Sequence, residues 1–201
     1  MRTHSELTVY VVYGGPLQAL LGTLDQHLLL RVFMSLPTAA IEPSRFREAL
    51  GHYASGITVI TSHLDDEPIG FTCQSFYSVS MSPPLVSFSV MCSSASYPKI
   101  RQAGRFAVNI LSGEQAKVSN QFARRGTDKW HGIDWKKSPL GNPVIAGSLH
   151  WLDCEIHAEH VAGDHLIVIG EVKALNPQAA ATTQPLLYFK GEYCHLPTAA
   201  A

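Results

Sequence analysis

The run LVSFSVM (85–91) alternates Val86, Phe88 and Val90 with Leu85, Ser87 and Ser89. A period of two is the mark of a strand with one face in a core. The same β-branched and aromatic character returns in GITVIT (56–61), IGFTCQSFYSVSMSPP (69–84), RFAVNIL (105–111), about 149–160, 166–175 and PLLYFKGEY (185–193). Asp65-Asp66-Glu67-Pro68 reads as a turn between two of these runs. Only three helical stretches interrupt the strands, and they do not alternate with them. Parallel sheets need repeated strand–helix–strand units, so the order argues for a mainly-β chain, an antiparallel barrel with peripheral short helices.

The helices carry their own punctuation. EPSRFREALGHYAS (42–55) has Pro43 in its first turn and an apolar stripe of Phe46, Ala49, Leu50, Tyr53 and Ala54. SYPKIRQAG (96–104) offers Ser96 as N-cap and Gly104 as C-terminal stop. SGEQAKVSNQFARR (112–125) opens on a capping box, Ser112 to Gln115.

Residues 1–40 lack this regularity. They are apolar, but Gly14-Gly15-Pro16 and Asp25-Gln26-His27 break them too often for a membrane span. They also lack the clear basic n-region of a secretory signal and an A-x-A site before the mature domain. Either they form a short element packed on the domain, or they are an extension upstream of a true start at Met34. Regular patterning begins only around Ile41, which favours the second reading. The expected organisation is an extension over 1–40, one domain over 41–197 and a tail over 198–201.

Two hundred and one residues, 46% hydrophobic and 15% charged, suit one globular domain with a substantial core. A net charge of −1 favours neither nucleic acid nor an anionic membrane as partner. The low charge leaves room for buried oligomer surface. Cys73, Cys92, Cys154 and Cys194 form no C-x-x-C pair and read as reduced thiols of a cytoplasmic protein. The sequence contains no G-x-x-x-x-G-K-[ST], no G-x-G-x-x-G after a strand and no G-x-S-x-G.

Two regions invite chemistry. His150, His157, His160 and His165 cluster in sequence, but strict alternation puts His157 and His160 on opposite strand faces, where they cannot share a metal ion. His165 opens the strand of AGDHLIVIGEVKAL (162–175), a position open to a proton shuttle, a ligand-orienting donor or no role at all. The second region is a hydroxyl-rich shelf, Thr72, Gln74, Ser75, Ser78, Ser80 and Ser82, with Ser93, Ser94 and Ser96 further on. It suits either a polar strand face or a flat, phosphorylated ligand.

The pieces GITVIT, GFTCQSFYSVSMSPPLV, GRFAVNIL, FARRGTDKWHGIDW, LGNPVIAGSL, DCEIHAEHVAGDH and PLLYFKGEY resemble, in order, the flavin reductase-like family of FMN-binding split barrels. The likeness runs from about Phe46 to Leu196. The pieces CQSF, GIDW and GSL…DC…GDH are most similar to members that serve two-component monooxygenases acting on phenolic, steroid-derived substrates. The resemblance implies a split β-barrel that reduces free flavin with a nicotinamide cofactor. The nicotinamide C4 must lie against flavin N5, so the protein's part is orientation and electrostatics. Phe71, Thr72, Cys73, Ser75 and Phe76 match the loop lining the flavin ring and ribityl chain. Ser94, Ser96 and Tyr97 match the phosphate segment, and Phe122 and Ala123 a helix beside the flavin tail. Phe122 also reads as plain core, and Cys73 as a small buried residue. Gly163, Asp164 and His165 match the NADH-contacting motif, with His165 as a hydrogen-bond donor to the cofactor. No lysine or arginine stands in the segment just before Ser96, so phosphate pairing falls to Lys99, Arg124 or Arg125, and FMN and FAD both remain open, as do NADH and NADPH. The implied partners are a separate flavin-dependent monooxygenase, reached by diffusing reduced flavin, and a second copy of the chain in a homodimer. A non-catalytic flavin-binding module and an oxidoreductase with tightly bound FMN are the alternatives.

Overall fold

Twelve strands and three helices make up residues 40–177 and 184–196, the part of the chain described by this computed structural model. The extension expected over 1–40 and the tail over 198–201 lie outside the described residues, apart from Ala40. Helix α1 (Pro43–Gly51) leads into β1 (Ser55–Gly56) and then the hairpin β2 (Thr58–Leu64) and β3 (Glu67–Cys73). Asp65 and Asp66 take φ of 48° and 62° in the hairpin turn, a left-handed conformation that a short Asp side chain tolerates. A second hairpin follows, β4 (Phe76–Met81) and β5 (Pro84–Met91). Helix α2 (Tyr97–Ala103), strand β6 (Arg105–Ile110) and helix α3 (Ala116–Ala123) come next. The short pair β7 (Trp135–Lys137) and β8 (Pro143–Ile145) precedes the long hairpin β9 (His150–Ala162) and β10 (His165–Leu175), and β11 (Leu187–Phe189) and β12 (Glu192–Cys194) close the chain.

Seven strands form one antiparallel sheet in the order β3-β2-β6-β9-β10-β5-β4. Its end strands, β3 and β4, are consecutive in the chain, so the sheet must curl back on itself. Only Gln74 and Ser75 bridge them, and the Ser89 N–H donates to the Ser75 carbonyl at 3.3 Å. The expected antiparallel barrel is therefore present, split along the β3–β4 seam. Its interior is filled by Ile60, Val86, Phe88, Val90, Phe106, Val108, Cys154 and Val168, with Tyr97 and Ile100 of α2 as a plug. Val86, Phe88 and Val90 are all buried, as their alternation predicts. At Gly170 an added Cβ would lie 2.3 Å from the Phe106 ring, so this strand glycine makes room for an aromatic neighbour. A second cluster, centred on Ile57, Leu111, Phe122 and Leu186, packs on the outer face.

Two expectations need correction, at the α2 cap and along β9, and the α1 stripe lies where its periodicity alone could not place it. Helix α1 forms, but it buries none of its residues: Phe46, Leu50 and Tyr53, the last just past its end, are 55–62% exposed. Its stripe points away from the chain's own core. Ser96 stands at the N-cap position of α2 as expected, but its side chain makes no capping bond; the Ser94 hydroxyl accepts the Tyr97 N–H at 3.2 Å instead. Strict alternation also fails along β9. A bulge at His157 lets Ala158 pair with Ile169 and Ile156 with Gly170. The shift brings Glu159 opposite buried Val168 and leaves both His157 and His160 exposed, so the opposite-face argument against a shared ion does not hold. Among the described residues no three His, Cys, Asp or Glu side chains stand close enough to hold a metal. Among them, too, no helix is long and apolar enough to cross a membrane.

Candidate functional site

The sheet order fixes where the predicted segments meet. β5 lies between β4 and β10, and its C-terminal end carries one segment on each side. On the β4 side, the Ser75 hydroxyl donates to the Ser89 carbonyl at 3.1 Å and accepts the Ser89 N–H at 3.0 Å. On the β10 side, His165 pairs with Met91, and the Cys92 N–H donates to the Asp164 carbonyl at 2.9 Å. The 71–76 loop and the Gly163-Asp164-His165 turn therefore flank one strand end, with about 10 Å between them at normal strand spacing. The chain leaving β5 supplies Ser94 and Ser96 at once.

Gly70 joins the remaining segments. Its carbonyl accepts from the Ser96 hydroxyl at 3.4 Å and from the Lys129 ammonium at 3.1 Å. A Cβ on Gly70 would meet the Phe122 ring at 2.6 Å, so only glycine lets β3 and α3 approach this closely. Two residues on, the Thr72 hydroxyl donates to the Ser119 carbonyl of α3 at 2.5 Å. The outcome is a cleft of about 250 Å³ between β3, the start of α2 and the loop after α3, lined by Gly70, Ser96, Lys99, Thr127, Lys129 and Trp130 among others.

Two cations, Lys99 and Lys129, and two acids, Glu67 and Asp128, line this cleft. Lys129 is half-buried; burial, and then the nearby Arg125 charge, hold its ammonium below the usual lysine range. A negative ligand would relieve both effects. Lys99 lines the same cleft, but its exposed pair with Glu67, 3.0 Å apart, already engages it. Arg124 and Arg125 are exposed on the loop after α3. Lys129 was therefore the cation that sequence reasoning missed. Its only signal was the position of DKW one loop beyond the helix.

Several predicted residues act through packing. Phe122 has no exposed surface; its ring stands edge-on to Trp130 at 4.9 Å, so it is core, and only its neighbour Ala123 is exposed. Cys73 is buried beside Ser75, and burial pushes its thiol up, which suits an inert packing group. The Tyr97 ring is buried too. Its hydroxyl donates to Glu159, whose other partner is the Arg101 Nε at 2.9 Å. Burial and then Glu159 push the Tyr97 phenol far above its usual range, so it stays neutral and ties α2 to β9. Phe71 and Phe76 are half-buried at the seam, Phe71 edge-on to Phe88 at 5.9 Å.

His165 is partly exposed at the mouth of β10. Its Nδ1 lies 2.7 Å from the Asp164 Oδ1. The hydrogen bond from His165 holds the Asp164 carboxyl below the usual carboxylate range.

The flavin reductase like domain family matches residues 50–197. The chain belongs to that family. It is 46% identical over 156 residues to the flavin-dependent monooxygenase reductase subunit HsaB of Mycobacterium tuberculosis, covering 78% of this chain and 83% of the relative. Among solved structures it matches nitrilotriacetate monooxygenase component B from Mycobacterium thermoresistibile with a TM-score of 0.76 and 44% identity, over 79% of this chain and 88% of that one. The Streptomyces globisporus NADH:FAD oxidoreductase SgcE6, solved with NAD and FAD fragments, matches with a TM-score of 0.74 and 32% identity, over 80% and 96%. The chain is thus a flavin reductase of the kind that serves two-component monooxygenases, built on the split barrel of this family.

Proposed function

We propose that the Gly70–Lys129 cleft holds the phosphate end of FMN or FAD, that the 71–76 loop lies along its ring, and that the Gly163-Asp164-His165 turn receives NADH. The observation that carries this reading is the convergence of the loop, the serine segment and the turn on one end of β5. Bound flavin supplies the acceptor for the hydride of NADH. The chain supplies position and charge. Lys129 keeps two N–H groups beyond the one on the Gly70 carbonyl and offers the phosphate a cation, while the Ser96 hydroxyl, 3.4 Å from that carbonyl, would exchange it for the phosphate. The hydroxyls of Thr72 and Ser75 are committed to protein acceptors, so the loop meets its ligand through backbone groups and exposed Gln74. Ser94 caps α2 and so orders the segment that carries Ser96.

The reduced flavin leaves for a separate oxygenase, and we place a phenolic, steroid-derived compound as the substrate of that partner. The motif-level likeness and the similarity to HsaB support this choice. The protein works in the cytoplasm, where NADH and free flavin are available. It works as a homodimer, and the unburied Phe46, Leu50 and Tyr53 along α1 and its exit supply apolar surface for a second copy. The nicotinamide role of the turn is tested by His165→Ala. The expected result is a higher KM for NADH with flavin affinity nearly unchanged, and equal loss of both would refute it.

A further inference from the structure

A carboxylate accepts hydrogen bonds and does not donate them. The Asp164 Oδ1, 2.7 Å from the His165 Nδ1, therefore faces an N–H. The cross-strand neighbours of His165 are Met91 on β5 and Ala162 on β9, neither charged. Among the described residues, Asp164 is the one ionised group within hydrogen-bonding reach of the ring. The turn holds that carboxylate in place from its backbone. Gly163 takes φ of 62°, and the Asp164 carbonyl is anchored by the Cys92 N–H at 2.9 Å.

We infer that Asp164 is a positioning residue that locks His165 as its Nδ1–H tautomer, so that Nε2 keeps a lone pair and accepts a hydrogen bond from the carboxamide N–H of the nicotinamide. This rests on the reading of the turn as the nicotinamide site. It also reverses the donor role expected from sequence. A neutral imidazole has one donor and one acceptor nitrogen, and the partner of the first decides the role of the second. The charge balance agrees. Positive charge develops on the nicotinamide ring as its hydride departs, and an acceptor backed by a carboxylate favours that change, whereas an imidazolium donor would oppose it. The dyad neither gives nor takes a proton in the step; the hydride carries both electrons from NADH to the flavin. The lowered Asp164 carboxyl is consistent with the pair, because the acid is ionised at neutral pH.

The test has two readouts. Long-range proton–nitrogen NMR of the ligand-free protein, labelled with ¹⁵N-histidine and recorded above the titration of the ring, identifies the protonated nitrogen directly. The expected signal for His165 is a protonated Nδ1 and a bare Nε2, with loss of this preference in Asp164→Ala. An Nε2–H tautomer in the wild type, or one unchanged by Asp164→Ala, overturns the inference and leaves the flavin reductase reading intact. The second readout is steady-state kinetics of Asp164→Ala, where KM for NADH should rise roughly tenfold with flavin affinity held, the worth of one charge-assisted hydrogen bond. The correct tautomer with NADH kinetics unmoved in both Asp164→Ala and His165→Ala would overturn the nicotinamide reading of the turn, and the inference with it.

Discussion

Single residues at the Gly70 junction carry most of the specificity of this account. Lys129 should recognise phosphate and ignore the flavin ring. Lys129→Ala is expected to weaken FMN binding roughly tenfold while barely changing riboflavin, as fluorescence titration would show. Equal loss for both ligands would mean that Lys129 shapes the cleft without touching phosphate. Gly170 lies inside the barrel, with the Phe106 ring where a Cβ would go. Gly170→Ala should therefore cost about 1–3 kcal/mol by overpacking, read as a lower Tm with unchanged flavin specificity. At this scale the sequence was partly legible. Ser75, Ser94, Ser96 and His165, which the motif likeness assigned to flavin and NADH, gather around one strand end. Phe122, Tyr97 and Cys73 were equally visible as positions, but a sequence does not say whether an aromatic ring or a thiol faces a ligand or a core. Here all three face inward. Lys129 was missed because it reaches Gly70 across 59 residues, a contact no local pattern encodes.

Among the elements, α2 and β9 show how side-chain chemistry holds the site's frame. Glu159 is placed inward by the bulge at His157, and Tyr97 and Arg101 of α2 both bond its carboxylate. Burial alone would raise the Glu159 carboxyl, but these hydrogen bonds outweigh it and hold the group below its ordinary 4.5. A depressed carboxyl contributes stability that is present above the unfolded value and lost as pH falls through the folded one. The wild type should therefore lose stability from about pH 4.5 downward. Glu159→Gln should flatten that part of the curve while lowering stability at neutral pH, measured by urea unfolding across pH. An unchanged acid limb would remove Glu159 from the explanation. The strands themselves were readable because alternation and turn residues are local. The β9 bulge was not, because it answers to its partner: the sheet must turn there, next to the glycine that admits Phe106. The α1 stripe was read correctly as apolar, but periodicity cannot tell a face that meets its own core from one that meets another surface.

For the whole molecule, the split barrel brings residues from 70 to 165 to one end of β5, and it leaves α1 with bare apolar surface. If that surface meets a second copy, Phe46→Glu together with Leu50→Glu should shift the protein to monomer in light scattering, with the barrel's far-ultraviolet circular dichroism intact. A wild-type monomer would contradict the dimer outright. The central claim is that this barrel reduces free flavin with NADH, and the most direct measurement is steady-state NADH oxidation with FMN, FAD and riboflavin compared side by side. The expected result is turnover above the uncatalysed rate that depends on added flavin, with a lower KM for the phosphate-bearing flavins than for riboflavin. NADH loss no faster than the uncatalysed rate with all three would contradict it.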